Sequence, residues 1–261
     1  MNIFIVDAFT DQPYRGNPAA VCFLDSVKKD DWMQDVAKEM NLSETAFILK
    51  EDNAFSLRWF TPETEVDLCG HATLASAHIL WEKGFVKGNE IRFNTKRGLL
   101  TAVKEEDWIE LNFPLEIEEE CLTPVELKKG LGVDFKYTGK NRLDYIVEIE
   151  SEESLKRLQP DFNILKKIKS RGIIVTSQTK KTGIDFVSRC FYPVLGINED
   201  PVTGSAHCCL GPFWQQKLKK NKLTARQLSS RGGLLKLTVL KERILIAGQA
   251  VTTLQGQLCG K

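Results

Sequence analysis

Two short stretches of the chain carry residue types that could do chemistry. Residues 199–207, EDPVTGSAH, hold a carboxylate beside a tight turn of small residues that opens an apolar run. Residues 67–78, DLCGHATLASAH, repeat the arrangement with a histidine where the first has its acid. Each turn leads into a run that is small or apolar almost throughout, as expected of a helix buried on most sides. The first turn of such a helix presents unpaired backbone N–H groups and a partial positive charge. Glycine, alanine, serine and threonine leave room there for an anion to approach the backbone. Two such helix starts on one cleft would grip a small carboxylate-bearing molecule. Small residues also serve close helix–sheet packing, so one stretch alone says little. Two of them say more.

The elements that must position these turns occur twice. RWFTP (58–62) and RCFYP (189–193) share Arg, Phe and Pro at identical spacing, and each precedes one of the two turns. Downstream of each apolar run follow matching blocks, KRGLLTAVKEEDWIEL and SRGGLLKLTVLKERILI. A period of about 130 residues is too long for a solenoid, so the repeat predicts duplication of a whole domain. Strand-like runs fill the rest: NIFIVDAF, AAVCFL, TAFILK, FSLRWF and EIRFNT in the first half, DYIVEI, GIIVTSQ, DFVSRCFY, LLKLTV and RILIAG in the second. A helix is predicted over 30–40, with Trp32, Val36, Ala37 and Met40 on one face. A shorter one is predicted with Thr123 as N-cap, Pro124 at its first position and Gly130 or Gly132 at its end. Gly211-Pro212 should bend or end the second buried helix early and disturb the packing of Phe213 and Trp214. The expected fold is α+β: two pseudo-symmetric domains, each a curled, mostly antiparallel sheet around a central helix. The domains are placed at 1–113, joined by a returning strand over 249–261, and at 114–248, with EIEEE (116–120) as the crossover.

Composition excludes several classes. The 261 residues carry a net charge of +1, so no long-range field favours nucleic acid or an anionic membrane. No apolar run reaches the roughly 18 residues of a membrane span, and MNIFIVDAFT begins like a strand rather than a secretory signal. Seven cysteines without CxxC pairs or regular spacing read as reduced thiols in a cytoplasmic protein.

The blocks DAFTDQPYRGNPAAVCFL, MNLSETAF, LRWFTPETEVDLCGHATLASA, EDPVTGSAH and SRGG, in that order, resemble the PhzF-like family of phenazine-biosynthesis isomerases and their relatives. Residues 115–170 carry no diagnostic motif. The resemblance implies the diaminopimelate-epimerase-like fold with an active site between two domains. It also implies proton transfer without a cofactor, on a small carboxylated substrate, in a homodimer.

Residue by residue, the resemblance makes Glu44 the general acid/base, with His71 and Asp200 as its catalytic companions. A carboxylate in that role must hold and release a proton near neutrality, which burial favours. A histidine at a helix N-terminus is pushed towards its neutral form, suiting a hydrogen-bond partner or proton relay. Asp200 also fits an ordinary turn or N-cap aspartate. Asn17, Ser43, Gly70, Thr73, Gly204 and Ser205 are substrate-binding candidates, though Gly-Asn-Pro at 16–18 is also a simple turn. His78 and His207 read as core or helix-surface residues. Cys69, His71, His78 and His207 lack HExxH or paired-cysteine spacing, so no metal site is expected. Diaminopimelate epimerase and proline racemase use two opposed thiols on this fold. Cys69 matches the first thiol, but the second position falls on Pro201, with Cys208 and Cys209 well inside the helix. Paired-thiol racemisation is therefore the second reading, and a non-catalytic binding protein the third.

Overall fold

The computed structural model describes residues 1–259. Alternating apolar and polar side chains build the strands. In Glu90–Thr95 every second residue, Ile91 and Phe93, is buried, and Trp108–Pro114 buries Ile109, Leu111 and Phe113 in the same way. The chain divides into two compact units, Met1–Asn112 with Leu245–Lys261, and Phe113–Ile244.

The first unit runs β1 (Asn2–Ala8), β2 (Asn17–Leu24), α1 (Asp30–Met40), β3 (Glu44–Lys50), β4 (Phe55–Phe60), β5 (Glu65–Val66), α2 (Gly70–Glu82), β6 (Glu90–Thr95), β7 (Gly98–Glu105) and β8 (Trp108–Pro114). The second runs β9 (Glu119–Glu120), α3 (Val125–Leu131), β10 (Phe135–Lys140), β11 (Asp144–Ile149), α4 (Glu152–Arg157), α5 (Phe162–Leu165), β12 (Gly172–Gln178), β13 (Phe186–Tyr192), β14 (Ile197–Asp200), α6 (Gly204–Leu218), β15 (Lys222–Gln227), β16 (Gly233–Val239) and β17 (Arg243–Gly248). The last strand, β18 (Ala250–Gln257), lies antiparallel to β1. Gly260 and Lys261, at the end of the strand expected over 249–261, lie outside the described residues.

The pairing order repeats. In the first unit β1–β2 is antiparallel, β2–β3 parallel, β3–β4 antiparallel and β4–β6 parallel, with α1 and α2 in the two crossovers. In the second, β10–β11 is antiparallel, β11–β12 parallel, β12–β13 antiparallel and β13–β15 parallel, with α4 and α5 in one crossover and α6 in the other. Each unit is thus α+β with a mostly antiparallel sheet. Each Arg-x-Phe-x-Pro motif ends a strand, and its arginine does the same work in both units. Arg58 forks on Glu65 of β5, and Arg189 forks on Glu199 of β14, in each case through Nε and Nη2. Two parallel charge-assisted bonds fix the short strand that leads into the buried helix.

Helix α1 lays Met33 and Ala37 into a core with Phe47 and Phe60, flanked by Trp32, Val36 and Met40. Helix α2 has no polar face to turn to water: His71–Ala77, Ile79 and Leu80 are all buried, and it packs on β1, β2, β3 and β18. Among the described residues no helix is long and apolar enough to cross a membrane.

Two local expectations are corrected. Helix α3 starts at Val125 with Pro124 in the cap position, because the Thr123 hydroxyl bonds that of Thr138 at 2.7 Å instead of capping. Helix α6 runs unbroken from Gly204 to Leu218 with Pro212 inside it. A proline there leaves the carbonyl four residues back without its helical donor. Cys208 holds that carbonyl, and the Glu116 N–H supplies the missing bond at 3.1 Å. Gly211 lets the helix lie against β17, since a Cβ there would stand 2.3 Å from Ile244. Phe213 and Trp214 are consequently well packed: Trp214 stacks on Phe186 with centroids 5.6 Å apart and donates Nε1–H to Thr176 at 2.9 Å.

Candidate functional site

In the first unit the chemistry gathers at the start of α2. Glu44 opens β3, whose parallel register sets it beside Ala19 of β2, two residues beyond Asn17. His71 is the second residue of α2. These placements bring the three side chains together. His71 Nε2 stands 3.1 Å from Glu44 Oε2, and His71 Nδ1 stands 3.3 Å from Asn17 Nδ2. Cys69, the residue that caps α2, brings Sγ to 3.5 Å from the same Nδ1.

The Glu44–His71 contact is at ion-pair distance but off the line of a hydrogen bond. Glu44 Oε2 and His71 Nε2 are both buried, and neither makes a hydrogen bond. Buried polar atoms in folded proteins are nearly always bonded, so this facing pair has room for a further hydrogen-bonding partner. Burial works against charge on the His71 ring, while the neighbouring Cys69 and the Glu44 carboxylate favour it; the balance lies well above the ordinary histidine range. That runs against the neutral imidazole expected from the helix N-terminus alone. A carboxylate at 3.1 Å outweighs the partial charge of the helix end. Cys69 is itself pushed up by burial and by the charge of Glu44, so it remains a thiol near neutrality.

Glu44, Cys69 and His71 could each offer a ligand atom within 4.8 Å of the others. Cys69 meets Nδ1 and Glu44 meets Nε2, nitrogens on divergent sides of one ring. That arrangement suits a proton relay rather than the chelation of one ion.

The remaining first-unit candidates differ in what they can offer. Gly70 is the first residue of α2, and Ser43 is half-buried just before β3. Thr73 is buried and its hydroxyl donates back to the Cys69 carbonyl at 2.5 Å, within the helix. His78 faces Glu82 one turn on, at 3.4 Å.

In the second unit Asp200, Gly204 and Ser205 surround the start of α6. The Thr203 hydroxyl donates to Asp200 Oδ2. Gln227 ties this turn down, accepting from the Thr203 N–H at 2.9 Å and donating to the Asp200 carbonyl at 2.8 Å. Ser229 donates to the Pro201 carbonyl at 2.7 Å and accepts from the Gly232 N–H at 2.9 Å. Ser229, just before the SRGG block and held by its Gly232, therefore closes against the acidic turn, a role that the sequence does not announce. Ser205 Oγ accepts from Arg171 Nη2 at 3.2 Å. Neither Arg171 nor Gln227 stands in a recognisable motif; the only sequence signal was the arginine immediately before a predicted strand.

His207 is fully buried and joined to the Thr203 carbonyl through Nδ1 at 2.8 Å, and burial lowers its pKa to about 4. It is a neutral core histidine. Cys208 is pushed up to about 12 by burial, so α6 offers no ready thiolate there.

The family of phenazine biosynthesis-like proteins, PhzC-PhzF, matches residues 6–256. An uncharacterized isomerase of Halalkalibacterium halodurans is 58% identical over 258 residues, covering 98% of this chain and 97% of its own. The crystal structure of a PhzF-family phenazine biosynthesis protein from Enterococcus faecalis superposes with a TM-score of 0.94 at 41% identity, covering 98% of this chain and 97% of that one. A probable proline racemase of Agrobacterium radiobacter shares the fold at a TM-score of 0.67 and 12% identity, covering 99% of this chain and 92% of that one.

Proposed function

The chain belongs to the PhzC-PhzF family of phenazine biosynthesis-like proteins, and from that premise we propose that it is an isomerase that shifts a proton on a small carboxylated metabolite. Glu44 removes the proton from carbon and returns it elsewhere, moving a double bond. His71 is its partner in the relay, holding positive charge beside the carboxylate while the proton is in transit. Asn17 orients the ring from its other nitrogen when the imidazole is neutral, with Nδ1 accepting from the amide. Conjugation with the substrate's own carboxylate spreads the developing charge, so the step needs no cofactor in this reading. The turn from Asp200 to Ser205 is assigned to binding the substrate's anionic group at the start of α6, where backbone N–H groups and small residues leave room.

One observation carries the proposal: a half-buried carboxylate and a buried imidazole face each other at 3.1 Å, and neither of the two facing atoms makes a hydrogen bond. A structural ion pair would satisfy itself. A proton-transfer pair must leave an approach for a third atom.

Paired-thiol racemisation is not favoured by the side chains present. Cys69 remains a thiol, and no second cysteine lies in the turn before α6. The direct test is deuterium incorporation from heavy water into a panel of small unsaturated and cyclic carboxylates, followed by NMR. Exchange at a carbon next to or conjugated with the carboxylate is expected. Exchange only at the carbon of an amino acid, with inversion, would favour the racemase. The proposal includes a homodimer, for which light scattering should give twice the chain mass of 29.5 kDa.

A further inference from the structure

The strand of the second unit that corresponds to β3 is β12. Each runs parallel to the strand before it, and in the antiparallel pair that follows Thr45 faces Phe60 as Ile173 faces Phe191. Those phenylalanines occupy the same place in the two Arg-x-Phe-x-Pro motifs. By this register Gly172 stands where the first unit has Glu44.

Gly172 cannot be given a side chain, because a Cβ there would lie 2.2 Å from the ring of Tyr192. The residue before it reaches out instead. Arg171 forks on Asp144 through Nε and Nη2, and Nη2 also donates to Ser205 Oγ at 3.2 Å. In each unit, then, a residue at the start of the parallel strand meets the second residue of the following buried helix. In the first the pair is an acid and a histidine. In the second it is a cation and a serine.

The cation is built in and only partly used. Asp144 is fully buried, which fixes the guanidinium as its counter-ion, yet the Arg171 side chain is 28% exposed. Among the described residues no hydrogen bond uses its Nη1. The guanidinium carbon lies 5.4 Å from the centroid of the Tyr192 ring. Tyr192 is only 5% exposed, and its hydroxyl is buried without a hydrogen-bond partner. A half-open guanidinium stacked over a buried tyrosine ring and bonded to the second residue of a 15-residue helix has the planar donor geometry that carboxylates select.

We infer that Arg171 recognises the substrate's carboxylate, receiving it through Nη1 at the first turn of α6, and so sets a preference for anionic over neutral ligands. Asp144 holds the guanidinium in its plane and Ser205 fixes its edge. This rests on the isomerase reading for the identity of the ligand, but not for the site itself.

The test uses benzoate and its neutral counterpart benzamide on the full-length protein. Phenylglyoxal should modify Arg171, and benzoate but not benzamide should slow that reaction, read residue by residue by peptide mass spectrometry. The double substitution Arg171→Met with Asp144→Asn removes both charges together, so no carboxylate is left buried alone. It should weaken benzoate binding about 10- to 100-fold, the loss expected for one charged hydrogen-bonded contact, and leave benzamide binding unchanged. Glu44→Gln should keep the preference for benzoate, so failure of the proton-transfer reading and failure of this one are seen separately. An Arg171 that does not react, a reaction that benzoate leaves untouched, or equal benzoate affinity in the double variant would each overturn the assignment.

Discussion

Replacing Glu44 with glutamine keeps the size of the side chain and removes its capacity to take and give a proton. The side chain is 16% exposed and its oxygen faces His71 at 3.1 Å, so the amide fits without a cavity and can still meet the ring. The fold should survive the exchange, with stability lost only at pH values where His71 is charged, because the amide no longer offsets that charge. Turnover should fall at least about 10²-fold, the lower end for loss of a general base, equivalent to about 2.7 kcal/mol of transition-state stabilisation. The effect belongs in the chemical step. The rate of deuterium wash-in under saturating substrate should drop while substrate affinity holds. A second readout separates this from a packing role. The Glu44 carboxylate helps hold the His71 ring above the ordinary histidine range against burial, so Glu44→Gln should lower the His71 pKa seen by NMR titration. Cys69→Ala is the matched control, expected to keep turnover within about 10-fold, the effect of a lost neighbouring contact rather than of a lost catalytic group. An active Glu44→Gln beside an inactive Cys69→Ala would reverse the assignment and restore thiol chemistry.

Three further outcomes follow from the same structure. His207 has its pKa lowered to about 4 by burial, whereas an unfolded histidine titrates near about 6.5. The unfolded chain therefore binds more protons between these values, and stability should fall as pH drops through that window, by about 3 kcal/mol at most; melting curves of His207→Gln should lose this slope. His71 acts in the opposite sense: its raised pKa favours the folded state below the unfolded value, and that contribution is lost as pH rises through the folded one. Arg189→Met should cost about 1–3 kcal/mol more than Arg58→Met in urea denaturation, because Arg189 also serves the Leu155 and Leu158 carbonyls at 3.1 and 2.7 Å; equal losses would refute the distinction. Pro212→Ala should gain much less than the roughly 3 kcal/mol that an interior helical proline costs, since Glu116 already serves the Cys208 carbonyl, and a double-mutant cycle with Glu116→Pro should show the two donors substituting for one another.

What the sequence made legible was local. The boundaries of α1 follow from apolar spacing over 30–40, and α2 and α6 stand out because runs of small and apolar residues leave no polar face. The repeat could be seen because its marker residues carry geometry: the arginine of each motif locks a strand to the next by the same fork. What escaped the sequence was settled by groups far along the chain. Thr123 has the residue type of a cap, but its hydroxyl is taken by Thr138. Pro212 has the residue type of a helix breaker, but a donor more than ninety positions upstream, Glu116, completes the turn. Arg171 and Asp144 belong to no motif at all. They meet because the parallel register of β11 and β12 puts the starts of the two strands side by side.

That division between residues that hold and residues that act separates the two units from one another. The forks of Arg58 and Arg189 and the registers of Phe60 and Phe191 are the same in both, as a duplicated framework requires. At the start of the parallel strand the two depart. One has a carboxylate facing an imidazole; the other has a glycine closed by a tyrosine ring, with an arginine beside it anchored on a buried aspartate. A symmetric pair of acid/base groups would suit a racemase, which must treat both faces of one carbon alike. Under the proposed function that asymmetry has a use: an acid/base group on one side and a cation on the other suit a proton shift along an anionic molecule better than inversion of one carbon between two equivalent groups.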